Sequence, residues 1–87
     1  MSYNGWKNYE TWCVALWLDN DPGSHFMAKD IATDTSMRDY DKAKEIMEIV
    51  ETANPLNNSP ATMFTDLLNG ALSEVDWREV LEHYQED

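Results

Sequence analysis

The stretch that decides the fold is YNGWKNYETWCVALWLDND, residues 3–21. Tyr3, Trp6, Tyr9 and Trp12 stand at every third position and Trp17 follows, so five of the ten aromatic residues lie in the first seventeen. Asn8 has the side chain of a helix N-cap, and the apolar run behind it predicts a helix to about Asn20. At 100° per residue, Tyr9, Trp12, Cys13, Leu16 and Trp17 share one broad face, while Val14 and Leu18 take much of the other side. A helix apolar nearly all round belongs in the middle of a fold. Trp12 and Trp17 are therefore expected in the core, with Tyr3 and Trp6 folding back over the helix from beyond Gly5. Aromatic platforms for single-stranded nucleic acid sit in positively charged grooves. Only Lys7 accompanies this run, which favours core packing over base stacking.

Outward from that helix the chain continues as amphipathic segments. Asp21 and Pro22 are the N-cap and first residue of a second helix, with Phe26, Met27 and Ile31 facing inward. A turn or small hairpin over 22–36 is the alternative. Residues 37–53 place Tyr40, Ala43, Ile46, Met47 and Val50 on one stripe, behind a capping box of Ser36 and Asp39. Residues 54–60, NPLNNSP, read as a loop. Ser59-Pro60 opens a fourth helix with Met63, Phe64, Leu67, Leu68 and Ala71 inward, and Ser73 caps a fifth with Trp77, Val80, Leu81 and Tyr84 on one face. Val and Ile never alternate with polar residues over a strand's length. The expectation is an all-α single domain over residues 1–87, a bundle of about five short helices around a hydrophobic N-terminal helix.

At 87 residues such a chain buries roughly 60–65% of its unfolded surface, which leaves a thin stability margin. No run reaches the roughly 20 apolar residues of a membrane span. The opening residues MSYNGWKN lack the basic and apolar regions of a signal peptide. The single cysteine, Cys13, has no partner within the chain for a disulfide and is flanked by Trp12 and Val14, as a buried thiol would be. A soluble, cytoplasmic protein is expected.

Seventeen acids oppose six bases, for a formal charge of −11. Such a field repels nucleic acid and anionic membranes and attracts basic surfaces, so neither direct nucleic-acid binding nor membrane binding is expected. Catalytic motifs are missing: there is no phosphate loop, nucleophile elbow or paired-cysteine metal spacing. The two histidines stand alone in the sequence and read as surface residues. The segment DNDPG, residues 19–23, has the start of a calcium loop, but Gly23 comes one place early and Pro22 interrupts the ligand alternation. It reads better as a helix end followed by a new cap. No enzyme activity, cofactor or metal is expected.

The acids are arranged in strips. Asp41, Glu45 and Glu48 run along the third helix, away from Ile46 and Val50. Glu79, Glu82 and Glu86 run along the last, opposite Trp77, Val80, Leu81 and Tyr84. Like charges at this spacing cost a few tenths of a kcal/mol per pair, roughly 0.2–0.5. That cost suggests a purpose other than folding. A domain of this length spans on the order of 30 Å, over which duplex DNA carries roughly 18 charges. A charge of −11 gathered on one side would rival a single strand in a basic groove. An ordinary solvated surface, salt adaptation, or an adaptor for a basic partner accounts for the acids equally simply.

The opening motif adds a setting. Asn4-Gly5-Trp6, Asn8-Tyr9-Glu10-Thr11-Trp12 and Leu16-Trp17-Leu18-Asp19-Asn20 resemble the start of a family of small acidic proteins encoded by phages, haloviruses and plasmids. The resemblance covers about a quarter of the chain and ends at Asp21. It implies a mobile-element origin and action in the host cytoplasm. Its size and charge are similar to those of anti-CRISPR and anti-restriction proteins. The partner it implies is the basic surface of a host defence nuclease or CRISPR effector complex, met by the six carboxylates named above. The alternative is a non-catalytic phage or plasmid adaptor or structural protein.

Overall fold

The computed structural model describes residues 3–86, and among them five helices and no strand: α1 (Tyr9–Asn20), α2 (Pro22–Ala32), α3 (Asp39–Ala53), α4 (Met63–Ser73) and α5 (Trp77–Gln85). None is long and apolar enough to cross a membrane. The all-α bundle is as expected, and so is the loop between α3 and α4. Residues 22–36 hold a helix and not a hairpin.

Local chemistry sets most of the boundaries. Asn8 Oδ1 accepts the Thr11 N–H, and Asp21 Oδ2 accepts the Ser24 N–H behind Pro22, so both expected caps are present. The capping box moves. Ser36 bonds Asp34, and α3 starts after Arg38 with no side-chain cap. The reciprocal box belongs instead to Thr62 and Thr65, so α4 starts at Met63 and not at Ser59-Pro60. Asp76, not Ser73, caps α5; Ser73 ends α4. Each correction has one cause: several Ser, Thr and Asp residues compete for a helix end, and backbone geometry selects among them.

The shared core is Leu18, Ala28, Ala32, Ile46, Val75, Val80, Leu81 and Tyr84. Helix α5 is its centre, packing most extensively on α3, then on α2 and α1. The N-terminal helix is therefore peripheral. It buries Thr11, Ala15 and Leu18, and turns Tyr9, Leu16 and Trp17 to solvent. Trp17 is 70% exposed, so its expected place in the core is overturned, while Trp12 and Cys13 are half-buried. What these two helices bury is mostly small: Thr11 and Ala15 beside Leu18 on α1, and Ala28 and Ala32 on α2. Phe26, 76% exposed, and Met27 likewise yield to Ala28 and Ala32. On α3, Ile46 is buried and Tyr40 is exposed.

Tyr3 and Trp6 pair their backbones in both directions, N–H to O at 2.6 and 2.8 Å, around Asn4 and Gly5 with φ of 50° and 88°. Two positive φ values in a two-residue loop are what Asn-Gly provides. The turn sends its aromatics apart. Tyr3 packs on Tyr9 and Trp12, back over α1 as expected, whereas Trp6 packs on His83 of α5.

Helix α4 differs from the rest. It packs on no other helix over more than an isolated contact and meets the core through Leu72 near its end. Met63, Phe64 and Leu67, expected inward, are 65%, 64% and 64% exposed. The radius of gyration, 13.2 Å, exceeds the roughly 12 Å of a compact chain of this length, as a helix standing off the bundle requires.

Candidate functional site

The six carboxylates singled out from the sequence lie on the surface, in two separate places. On α3, Glu45 and Glu48 line a groove with Ser24, Met27 and Ile31 of α2. Asp41 is exposed one turn earlier on the same helix, outside that groove's lining. On α5, Glu79, Glu82 and Glu86 border a groove of about 250 Å3 whose other wall is Asn4, Gly5 and Trp6. The structure thus unites the last three acids with the aromatic turn and sets the α3 pair apart. Asp41, Glu45, Glu48, Glu82 and Glu86 are exposed; Glu79 is half-buried and accepts the Lys7 backbone N–H at 3.0 Å. Among the described residues the acids' sole ion pair is Glu82 with Arg78, 3.8 Å apart on the surface. Two bases are engaged elsewhere. Lys42 is buried and donates to the Ala32 carbonyl at 3.2 Å, satisfying the C-terminal end of α2. Lys7 approaches Asp76 at 3.8 Å.

The histidines are not isolated. Asp19, in the last turn of α1, accepts the Tyr84 hydroxyl at 2.7 Å, and lies 2.9 Å from His83 Nε2 and 3.3 Å from His25 Nδ1. The rings stack edge to face, His83 on Tyr84 and on Trp6, and His25 on Tyr84. A carboxylate at a helix C-terminus opposes the macrodipole, so these partners offset an unfavourable position. Burial works to raise the Asp19 pKa, but the hydrogen bonds from Tyr84, His83 and His25 outweigh it and hold the carboxyl below its ordinary value. Burial and the bond to Asp19 push the Tyr84 phenol well above its usual range. The cluster joins α1, α2 and α5 at one point. Among the described residues no set of three His, Cys, Asp or Glu side chains could hold a metal ion.

A second clamp was equally hidden in the opening motif. Thr11, fully buried, donates its hydroxyl to Asn8 Oδ1 at 2.6 Å and accepts the Asp76 N–H at 2.9 Å. Asn8 Nδ2 donates to the Glu74 carbonyl at 2.7 Å. The polar residues of the motif, more than its indoles, lock α1 onto the turn before α5. The Asn4-Gly5 pair was a readable turn signal; nothing in the sequence spacing joins Asp19 to residues 64 and 65 positions away.

No curated protein and no solved structure matches the chain. Residues 1–86 match the model of a family of unknown function, DUF7249, and the chain belongs to that family.

Proposed function

We propose that this is a mobile-element-encoded, non-catalytic inhibitor of a host nucleic-acid-targeting defence complex, of the anti-CRISPR or anti-restriction kind. It acts in the host cytoplasm by placing Asp41, Glu45, Glu48, Glu79, Glu82 and Glu86 against the lysines and arginines of a nucleic-acid-binding groove. The observation that carries this reading is the state of those carboxylates. Five of the six are exposed, and among the described residues one of the six, Glu82, is held in an ion pair, with Arg78. Surface carboxylates of which five make no ion pair among the described residues can take external cations, and a charge of −11 steers a basic partner toward them.

The test is capture from host lysate at low and high salt, with identification of what is bound. A basic nucleic-acid-handling complex should be retained at low salt and released at high salt. Reversing Glu45, Glu48 and Glu82 to Lys together should abolish both capture and inhibition, with the helical circular dichroism unchanged. Retained inhibition in that variant defeats the proposal. Reversing the α3 acids and the α5 acids in separate variants tells which groove meets the partner.

A second reading is favoured by one observation. Trp17 and Phe26 present large apolar surfaces to solvent, which a purely electrostatic mimic does not need. They suit an adaptor or structural protein that binds a basic partner through mixed contacts. For that reading, Trp17→Ala should weaken capture at every salt concentration.

A further inference from the structure

The acidic grooves leave the apolar side of α4 unexplained. Met63, Phe64, Leu67 and Gly70 fall within one sector of about 120° on this helix. The three large side chains are about two-thirds exposed, and no other helix covers them. An isolated helix shorter than about 12–15 residues is marginal in water, and α4 has 11. Gly70 adds an independent sign. A Cβ built there would meet nothing within 4 Å, and its backbone φ is not positive, so nothing within the chain requires a glycine. Glycine in a helix interior is destabilising relative to alanine. Its use on the open stripe fits close approach by another backbone.

Charge selects the occupant. In a chain of 23 charged residues, positions 52–73 contain one, Asp66, which lines a groove on the side of the 54–61 loop. Two copies carrying −11 each repel over most of their surfaces. The α4 stripe is where they can meet without setting acid against acid. A basic partner would find almost nothing there to recognise.

The geometry points to α4 as a self-association surface, on which the Met63–Leu67–Gly70 stripe of one copy packs against the same stripe of a second. The contact is isologous, with Gly70 at or near the crossing. Its size sets its strength. Three side chains two-thirds exposed offer roughly 400 Å2 per copy, about 800 Å2 for the pair, below the roughly 1,200 Å2 at which stable interfaces begin. The dimer is therefore of the weak, transient class.

Sedimentation equilibrium of the intact protein over a concentration series tests this, at about 0.05 M and about 0.5 M NaCl, where screening differs strongly. Dimerisation should strengthen with salt, as the repulsion between two acidic bodies is screened. Binding to a basic partner weakens with salt, so the two surfaces respond with opposite sign. Leu67→Asp should weaken the dimer at least about tenfold with an unchanged helical spectrum. Gly70→Gln, a better helix former in open space, should raise α4 helicity in dilute protein and still weaken the dimer. A protein monomeric up to about 1 mM at the higher salt overturns the inference. So does a dimer indifferent to both substitutions, which places the contact on another face. If the chain stays monomeric and Leu67→Asp instead abolishes capture of a lysate partner, α4 belongs to that partner and self-pairing is wrong.

Discussion

Helices α4 and α5 have similar lengths, 11 and 9 residues, and each carries a clear apolar stripe. One is the centre of the molecule. Val80, Leu81 and Tyr84 of α5 are buried beneath three other helices, while Met63, Phe64 and Leu67 of α4 face water. The pattern on a helix says which side is apolar, but not whether the rest of the chain reaches that side. With the same composition rules, one stripe became a core and the other an open surface.

The sharpest way to break this contrast is truncation on both helices. Leu81→Ala should cost about 2–5 kcal/mol by leaving a cavity, whereas Leu67→Ala should stay within about 0.5 kcal/mol in dilute protein, as surface changes do. Urea unfolding of the two variants measures both. Equal losses would mean that α4 is covered in the monomer.

A smaller effect is expected at the point where α1 and α2 are fastened to α5. Asp19→Ala deprives the buried Tyr84 hydroxyl of its acceptor, at a cost of about 1–3 kcal/mol. The same residue predicts a pH dependence. Its folded pKa lies below the unfolded value, so the unfolded chain takes up its proton first. The carboxylate's contribution is complete above the ordinary value of 3.8 and is lost as pH falls through the lowered folded value. The acid limb of a stability–pH profile should flatten in Asp19→Ala. An unchanged limb would assign it to other carboxylates, among them Asp21 and Asp34, which Ser24 and Ser36 also hold low.

The smallest change belongs to the residue that most looked like core. Trp17→Ala should alter unfolding free energy by about 0.5 kcal/mol or less, because the indole is exposed. A loss of several kcal/mol would restore it to the interior and overturn the peripheral place of α1.

Much of the local structure was legible. Asn8, Asp21 and Pro22 mark helix starts through their own chemistry, and α5 shows its buried face in the spacing of Trp77, Val80, Leu81 and Tyr84. Where Ser59, Ser73 and Thr62 compete, the sequence allows several boundaries and folding chooses one. The exposed acids on α3 and α5 were equally readable, since a strip opposite an apolar stripe faces out. Their separation into two grooves was not, because it depends on how α2 and the Asn4-Gly5 turn lie against those helices. The link from Asp19 to His25, His83 and Tyr84 was invisible for the same reason.

The sequence by itself determined that this chain is helical and acidic and that its helices carry apolar faces. Those properties are local: they follow from caps, periodicity and charge counted along the chain. Which faces were buried was decided only by tertiary structure. Burial depends on how residues far apart in the chain meet, so Ala15, Ala28, Ala32 and Tyr84 went inside while Trp17 and Phe26 were left outside.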